Sequence, residues 1–100
     1  MAKEQTEIKE RTNFMTCEPK RFHVIMHNDD FTTMEFVVKV LVTVFHKSQA
    51  AAEQAMMAIH KEGSAIVGTY SHDIALTKTE AVKNMAKEEG FPLQLSIRPE

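Results

Sequence analysis

Residues 21–47, "RFHVIMHNDDFTTMEFVVKVLVTVFHK", contain the change of period on which the fold depends. Up to His27 the apolar residues alternate, with Phe22, Val24 and Met26 on one face, as in a half-buried strand. From Met34 onward the apolar run is nearly continuous. Glu35, Lys39, Thr43 and His46 or Lys47 form one narrow polar stripe, the pattern of a helix buried on most sides. Between the two lies "HNDDFTTMEF", His27–Phe36, with Asn28, Asp29 and Asp30 directly before the helix. Side chains placed there can cap the helix, bind a metal, carry out acid–base chemistry or hold a cation. Thr32, with Glu35 three residues on, fits a capping box, so the helix is expected to begin there and run through Lys47.

Working outward, Ser48 can cap a second helix, "QAAAEQAMMAIHKE", which Gly63 ends in left-handed geometry. Met56, Ile59 and His60 share one face of that helix at i, i+3 and i+4. "SAIVGTYS" reads as a second strand. A third helix is expected over Asp73–Glu89, with Ile74, Ala81, Val82, Met85 and Ala86 available for its inner stripe and Gly90 and Pro92 closing it. "LQLSIR" alternates strictly and puts Leu93, Leu95 and Ile97 on one face of a last strand. Residues 1–20 carry only Ile8, Phe14 and Met15 as larger apolar groups and read as a flexible N-terminal arm. Residues 21–100 therefore form one domain in the order β-α-α-β-α-β. The expected fold is α+β, a small three-stranded antiparallel sheet covered on one face by three helices.

Composition narrows the function. The net charge of −2, with no strongly basic window, argues against a nucleic-acid surface. Cys17 is the only cysteine, which excludes an internal disulfide and suits a reducing cytosol. No segment approaches the ~20 apolar residues of a membrane span, so a cytoplasmic location is expected. "EGSAIVG" lacks the spacing and the lysine of a phosphate loop, so neither ATP nor another cofactor is expected. The serines lack a nucleophile-elbow context, and Cys17 lies in the arm, where no catalytic geometry could be held. Asp29, Asp30 and the five histidines would suffice on paper for a metal-dependent hydrolase. Yet no H-x-x-x-H, C-x-x-C or calcium-loop spacing occurs, so no metal is expected.

The bland reading of "NDD" is a capped loop; His60 would be an interface histidine, and Met34, Val37, Met56 and Ile59 would be core. Two features weigh against it. One side chain is enough to cap, yet Asn28, Asp29, Asp30, Thr32 and Thr33 all crowd this helix entry, and His60 sits beside Met56 and Ile59.

"NDDFTTMEFVVKVL", then "MMAIH" ending at His60, then "PLQL", together strongly resemble the ClpS family, adaptors of the bacterial Clp protease. The resemblance covers roughly residues 21–98. It combines an Asn-Asp-Asp run, a Met six positions after the Asn and a His thirty-two after it. It implies a non-catalytic adaptor that binds substrates beginning with Leu, Phe, Tyr or Trp. It also implies delivery to an AAA+ unfoldase, ClpA or ClpC, which feeds the ClpP peptidase. By the same resemblance, Asn28, Asp29 and His60 match the positions that grip the α-amino group. Thr32, Met34, Val37, Met56, Ile59 and Leu93 match the walls of the side-chain pocket, with Asp30 at its edge. Asp73 and Lys78 are the candidates for contact with the unfoldase. Two departures stand out: Thr33 where many relatives have proline, and Leu76 where a polar residue is common. An interaction domain sharing only the fold, like the C-terminal domain of the ribosomal stalk protein, is the other alternative. It gives no reason for His60 beside Met56.

Overall fold

A computed structural model of the chain describes residues 20–100; apart from Lys20, the expected arm, Cys17 included, lies outside them. Three strands, β1 (Phe22–His27), β2 (Ser64–Tyr70) and β3 (Gln94–Pro99), alternate with α1 (Met34–Thr43), α2 (Gln49–Glu62) and α3 (His72–Glu89) in the expected order. The sheet is antiparallel throughout, in the order β2-β1-β3. The helices pack on one face, where Val24 and Met26 of β1 and Val67 of β2 meet Val40, Leu41, Ala52, Ile59, Ala75, Val82 and Ala86. Val24, Met26, Val40 and Leu41 are completely buried. Side chains of that kind each contribute about 1.5–3 kcal/mol relative to exposure, so this layer fixes the register of everything around it.

The register slips once. Val24 pairs with Gly68 and Ile25 with Ile66, which leaves Val67 as the extra residue of a bulge. At Gly68 the ring of Tyr70 lies where a Cβ would be built, so any other residue would displace that ring. Gly63, at φ 94°, ends α2 in the left-handed geometry expected of it, and Ser48 caps that helix through the Ala51 amide.

Three local expectations are corrected. The cap of α1 is Thr33, not Thr32: the Thr33 hydroxyl accepts from the Phe36 amide at 3.2 Å. Thr32 instead donates its hydroxyl to Asp29 Oδ2 at 2.7 Å, because an ionised carboxylate is the stronger acceptor. The entry is thus one residue longer, Glu35 misses the capping-box position, and Thr33 stands at the cap rather than at the first helical position.

The first helix also stops at Thr43, not Lys47. Phe45 turns into the core, and His46 adopts φ 58°, a left-handed conformation that interrupts the helix. Apolar period alone cannot separate a buried helical Phe from a buried Phe just past the helix. Finally, Ile74 is 49% exposed, and Ala75 takes the inward position on α3 with Val82 and Ala86. Ser71 is the cap residue and the helix starts at His72, one residue earlier than expected, while its inner stripe starts at Ala75.

Candidate functional site

The loop that leaves β1 is tied to the end of α2. The pairing of β1 with β2 runs out at His27 and Ser64, and the Asn28 amide then donates to the Gly63 carbonyl at 2.9 Å. Gly63 in turn donates to Ile59 within the last turn of α2. Because His60 belongs to that same turn, two short backbone links bring it to the Asn28 side of the molecule. Thirty-two residues of chain separation are closed by strand pairing.

Asp29 builds the loop itself. Its Oδ1 accepts the Phe31 and Thr32 amides, both at 2.7 Å, and its Oδ2 accepts the Thr32 hydroxyl. Partial burial alone would push the Asp29 carboxyl up, but these bonds from Thr32 and Phe31 outweigh it and hold the group below the usual carboxylate range. Asp29 is therefore ionised at neutral pH. Three of the roughly four lone-pair directions of a carboxylate are used, which leaves room for one further donor. The Asp-x-x-Thr spacing of "DDFT" was the available sequence signal for this turn.

Between this loop, the start of α1 and the end of α2 lies a cleft of about 230 Å³. It is lined by Asn28, Asp29, Asp30, Thr32, Met34, Val37, Met56, Ile59 and His60. Val37 and Ile59, 7% and 2% exposed, form a buried apolar floor, whereas Met34 is 46% exposed and stands at the mouth. One end is thus polar, with an ionised carboxylate, an amide and an imidazole; the other is aliphatic and thioether. Apart from the outer donors of Asn28 and the imidazole, the polar end offers acceptors.

Leu93 does not line this cleft. It is 7% exposed within the core, at a separate depression shared with Thr79, Lys83, Leu95 and Ile97. Lys78 lies further off again. Its ammonium donates to the Val44 carbonyl at 2.7 Å and stands 5.3 Å from the ring centre of Tyr70 and 6.0 Å from that of Phe45. It satisfies a carbonyl left open by the end of α1. Asp73 is exposed in the first turn of α3. Among the described residues, no three His, Cys, Asp or Glu side chains converge as a metal would require, and no helix is long and apolar enough to cross a membrane.

The family model for the ATP-dependent Clp protease adaptor protein ClpS matches residues 17–96. The chain belongs to the ClpS family. It is 46% identical over 97 residues to the Clp protease adapter protein ClpS of Acetivibrio thermocellus, covering 97% of this chain and 98% of the relative. It is 51% identical over 80 residues to that of Treponema denticola, covering 80% and 79%. The solved structure of Agrobacterium tumefaciens ClpS2 bound to L-phenylalaninamide superposes with a TM-score of 0.80 at 42% identity. That superposition covers 83% of this chain and all of the other. As a ClpS protein the chain is an adaptor of the Clp protease and not itself an enzyme. The cleft accordingly has no reaction to perform.

Proposed function

We propose that this ClpS protein binds the first residue of substrate polypeptides that begin with Leu, Phe, Tyr or Trp. It then delivers them, in the cytoplasm, to an AAA+ Clp unfoldase, ClpA or ClpC, for degradation by ClpP. The carrying observation is that nine residues singled out for this role in the sequence line one cleft, acceptors at one end and apolar walls at the other. The relative bound to L-phenylalaninamide, a free amine beside an aromatic side chain, supports the same reading.

The chemistry follows from the ligand. A chain-terminal α-amino group has a pKa near about 8, so at neutral pH it is mostly an ammonium, a donor with nothing to accept. Asn28 Oδ1, the Asp29 carboxylate and an unprotonated ring nitrogen of His60 answer it with acceptors. Each well-placed charge-assisted bond is worth about 1.5–3 kcal/mol. An acetylated terminus loses the charge and leaves those acceptors without a partner.

The adjoining side chain enters between Met34, Val37, Met56 and Ile59, with Thr32 and Asp30 at the edge. A cleft of about 230 Å³ is smaller than the roughly 300–1,000 Å³ of pockets that take whole small molecules, and suits a single side chain. Burying Leu or Phe there contributes about 1.5–3 kcal/mol. Apolar size discriminates weakly, so rejection of Ile and Val falls to a steric element, Met34, which crowds a branched Cβ. Leu93 belongs to the same buried core as Val37 and Ile59, the floor of this pocket.

The unfoldase is proposed to dock on the first turns of α3, where Asp73 is exposed beside Ile74 and Leu76. Lys78 holds this face against the end of α1. Residues 1–20, poor in apolar groups, are proposed to engage the unfoldase rather than the substrate.

Fluorescence binding of short peptides that differ only in their first residue, each with and without N-acetylation, tests the central claim. Leu, Phe, Tyr and Trp peptides should bind, their acetylated forms should lose about a hundredfold or more, and Ser- or Lys-first peptides should not compete. Equal binding of acetylated and free peptides would refute it.

A further inference from the structure

The cleft continues into a second concavity. A groove of about 610 Å³ runs between α1 and α2, and Met34 and Met56 belong to both. Its apolar lining is completed by Val38, one helical turn beyond Met34, and by Met57, which is 40% exposed. Charged side chains of both signs, Glu35, Lys39 and Glu53, stand along it. Mixed signs select no particular charge, whereas two exposed thioethers and a valine favour an apolar occupant that can be fitted in several ways.

The cleft's polarity sets the direction of a bound chain. With the amine at Asn28, Asp29 and His60 and the first side chain on the apolar floor, the polypeptide can continue over the Met34–Met56 rim, which is shared with this groove. An extended chain points alternate side chains to the same side. Its first and third residues are separated by about 7 Å. The four-residue step from Met34 to Val38 is about 6 Å. A first side chain held beside Met34 therefore brings the third over Val38 and Met57, while the second points away.

Resting on the reading that the cleft takes the first residue, we infer that the α1–α2 groove receives the side chain of the third residue and favours Leu, Met or Phe there. Val38 and Met57 then become specificity-determining residues outside the cleft.

Calorimetric binding of three peptides, Phe-Ser-Leu-, Phe-Leu-Ser- and Phe-Ser-Ser-, each followed by the same polar tail, tests this alongside L-phenylalaninamide, which is too short to reach the groove. The Phe-Ser-Leu peptide should bind about three- to tenfold tighter than Phe-Ser-Ser, with little gain for Phe-Leu-Ser. The near-isosteric double variant Val38→Thr/Met57→Gln should reduce that advantage below twofold and leave the affinity for phenylalaninamide unchanged. A larger effect at the second residue, no preference at the third, or a preference that survives the double variant overturns the inference. So does a double variant that leaves every peptide unaffected but abolishes self-association in sedimentation, which would assign the groove to a second copy of the chain. If phenylalaninamide itself fails to bind, the reading of the cleft falls, and this inference with it.

Discussion

At the Asn28–Thr32 end of the cleft, backbone and side chains are bound to one another, with Asp29 holding Phe31 and Thr32 and Gly63 holding Asn28. At the Met34–Met56 end no side-chain hydrogen bond ties either methionine among the described residues; the mouth is an unbranched side chain 46% exposed above a buried floor. The contrast fits what each end is proposed to recognise. An acceptor aimed at a cation must be in place beforehand, since a misplaced one loses water and gains no partner. A wall that must admit Leu as well as Trp works better as a thioether, which repacks at little cost. Under the proposed function, fixed polar geometry selects the chain terminus, and an adaptable surface selects loosely among apolar side chains.

The largest expected effect is at the rigid end. His60→Ala should weaken a Leu-first peptide by about ten- to a hundredfold, the loss of one charge-assisted bond, measured by fluorescence anisotropy. An undiminished affinity in His60→Ala would remove it from the acceptor set. A smaller, different effect is expected at the adaptable end. Met34→Ala should raise the affinity for Ile- and Val-first peptides by up to about tenfold relative to Leu, by relieving contact with the branched Cβ. An unchanged ranking would assign Met34 to cover alone.

These two ends also differed in how far the sequence revealed them. Strand and helix order was legible because period changes from two to 3.6 at the "NDD" loop and back again before "LQLSIR". Gly63 and Ser48 marked the ends of α2 for reasons local to the backbone. The apolar floor was legible too, since Ile59 and Val37 fall on faces that periodicity identifies. The polar end was read mainly through family resemblance: that Asn28 meets His60 depends on the β1–β2 register and the Asn28–Gly63 bond, which no window of sequence contains. Thr32 and Thr33 could each have capped α1, and the choice was made by Asp29, a competitor for the hydroxyl that local cap rules omit. Ile74 was misplaced by a different route. A helical stripe gives a face without saying which neighbour covers it, so Ile74 was left outside.

The smallest expected effect sharpens the comparison most, because it loosens the rigid end without removing any proposed ligand contact to the amine. Thr32→Val deletes the hydroxyl that Asp29 Oδ2 accepts while keeping the shape and the backbone amide. With one donor gone, burial counts for more, and the Asp29 carboxyl should rise toward its ordinary value of 3.8. In the folded protein Asp29 titrates lower than in the unfolded chain. Its stabilising contribution is therefore fully present above the ordinary carboxylate range and is lost as pH falls through the folded value. The variant should accordingly be less stable than the parent near neutral pH, by about 1 kcal/mol or less for one partly exposed hydrogen bond. That difference should shrink as both are acidified toward about pH 3. Urea denaturation at the two pH values measures it; a difference of the same size at both would place the loss in packing rather than in the carboxylate. Peptide affinity should fall only a few fold, with the ranking of first residues intact, since a loop with one tie fewer still carries Asn28, Asp29 and His60 in the same order around the amine.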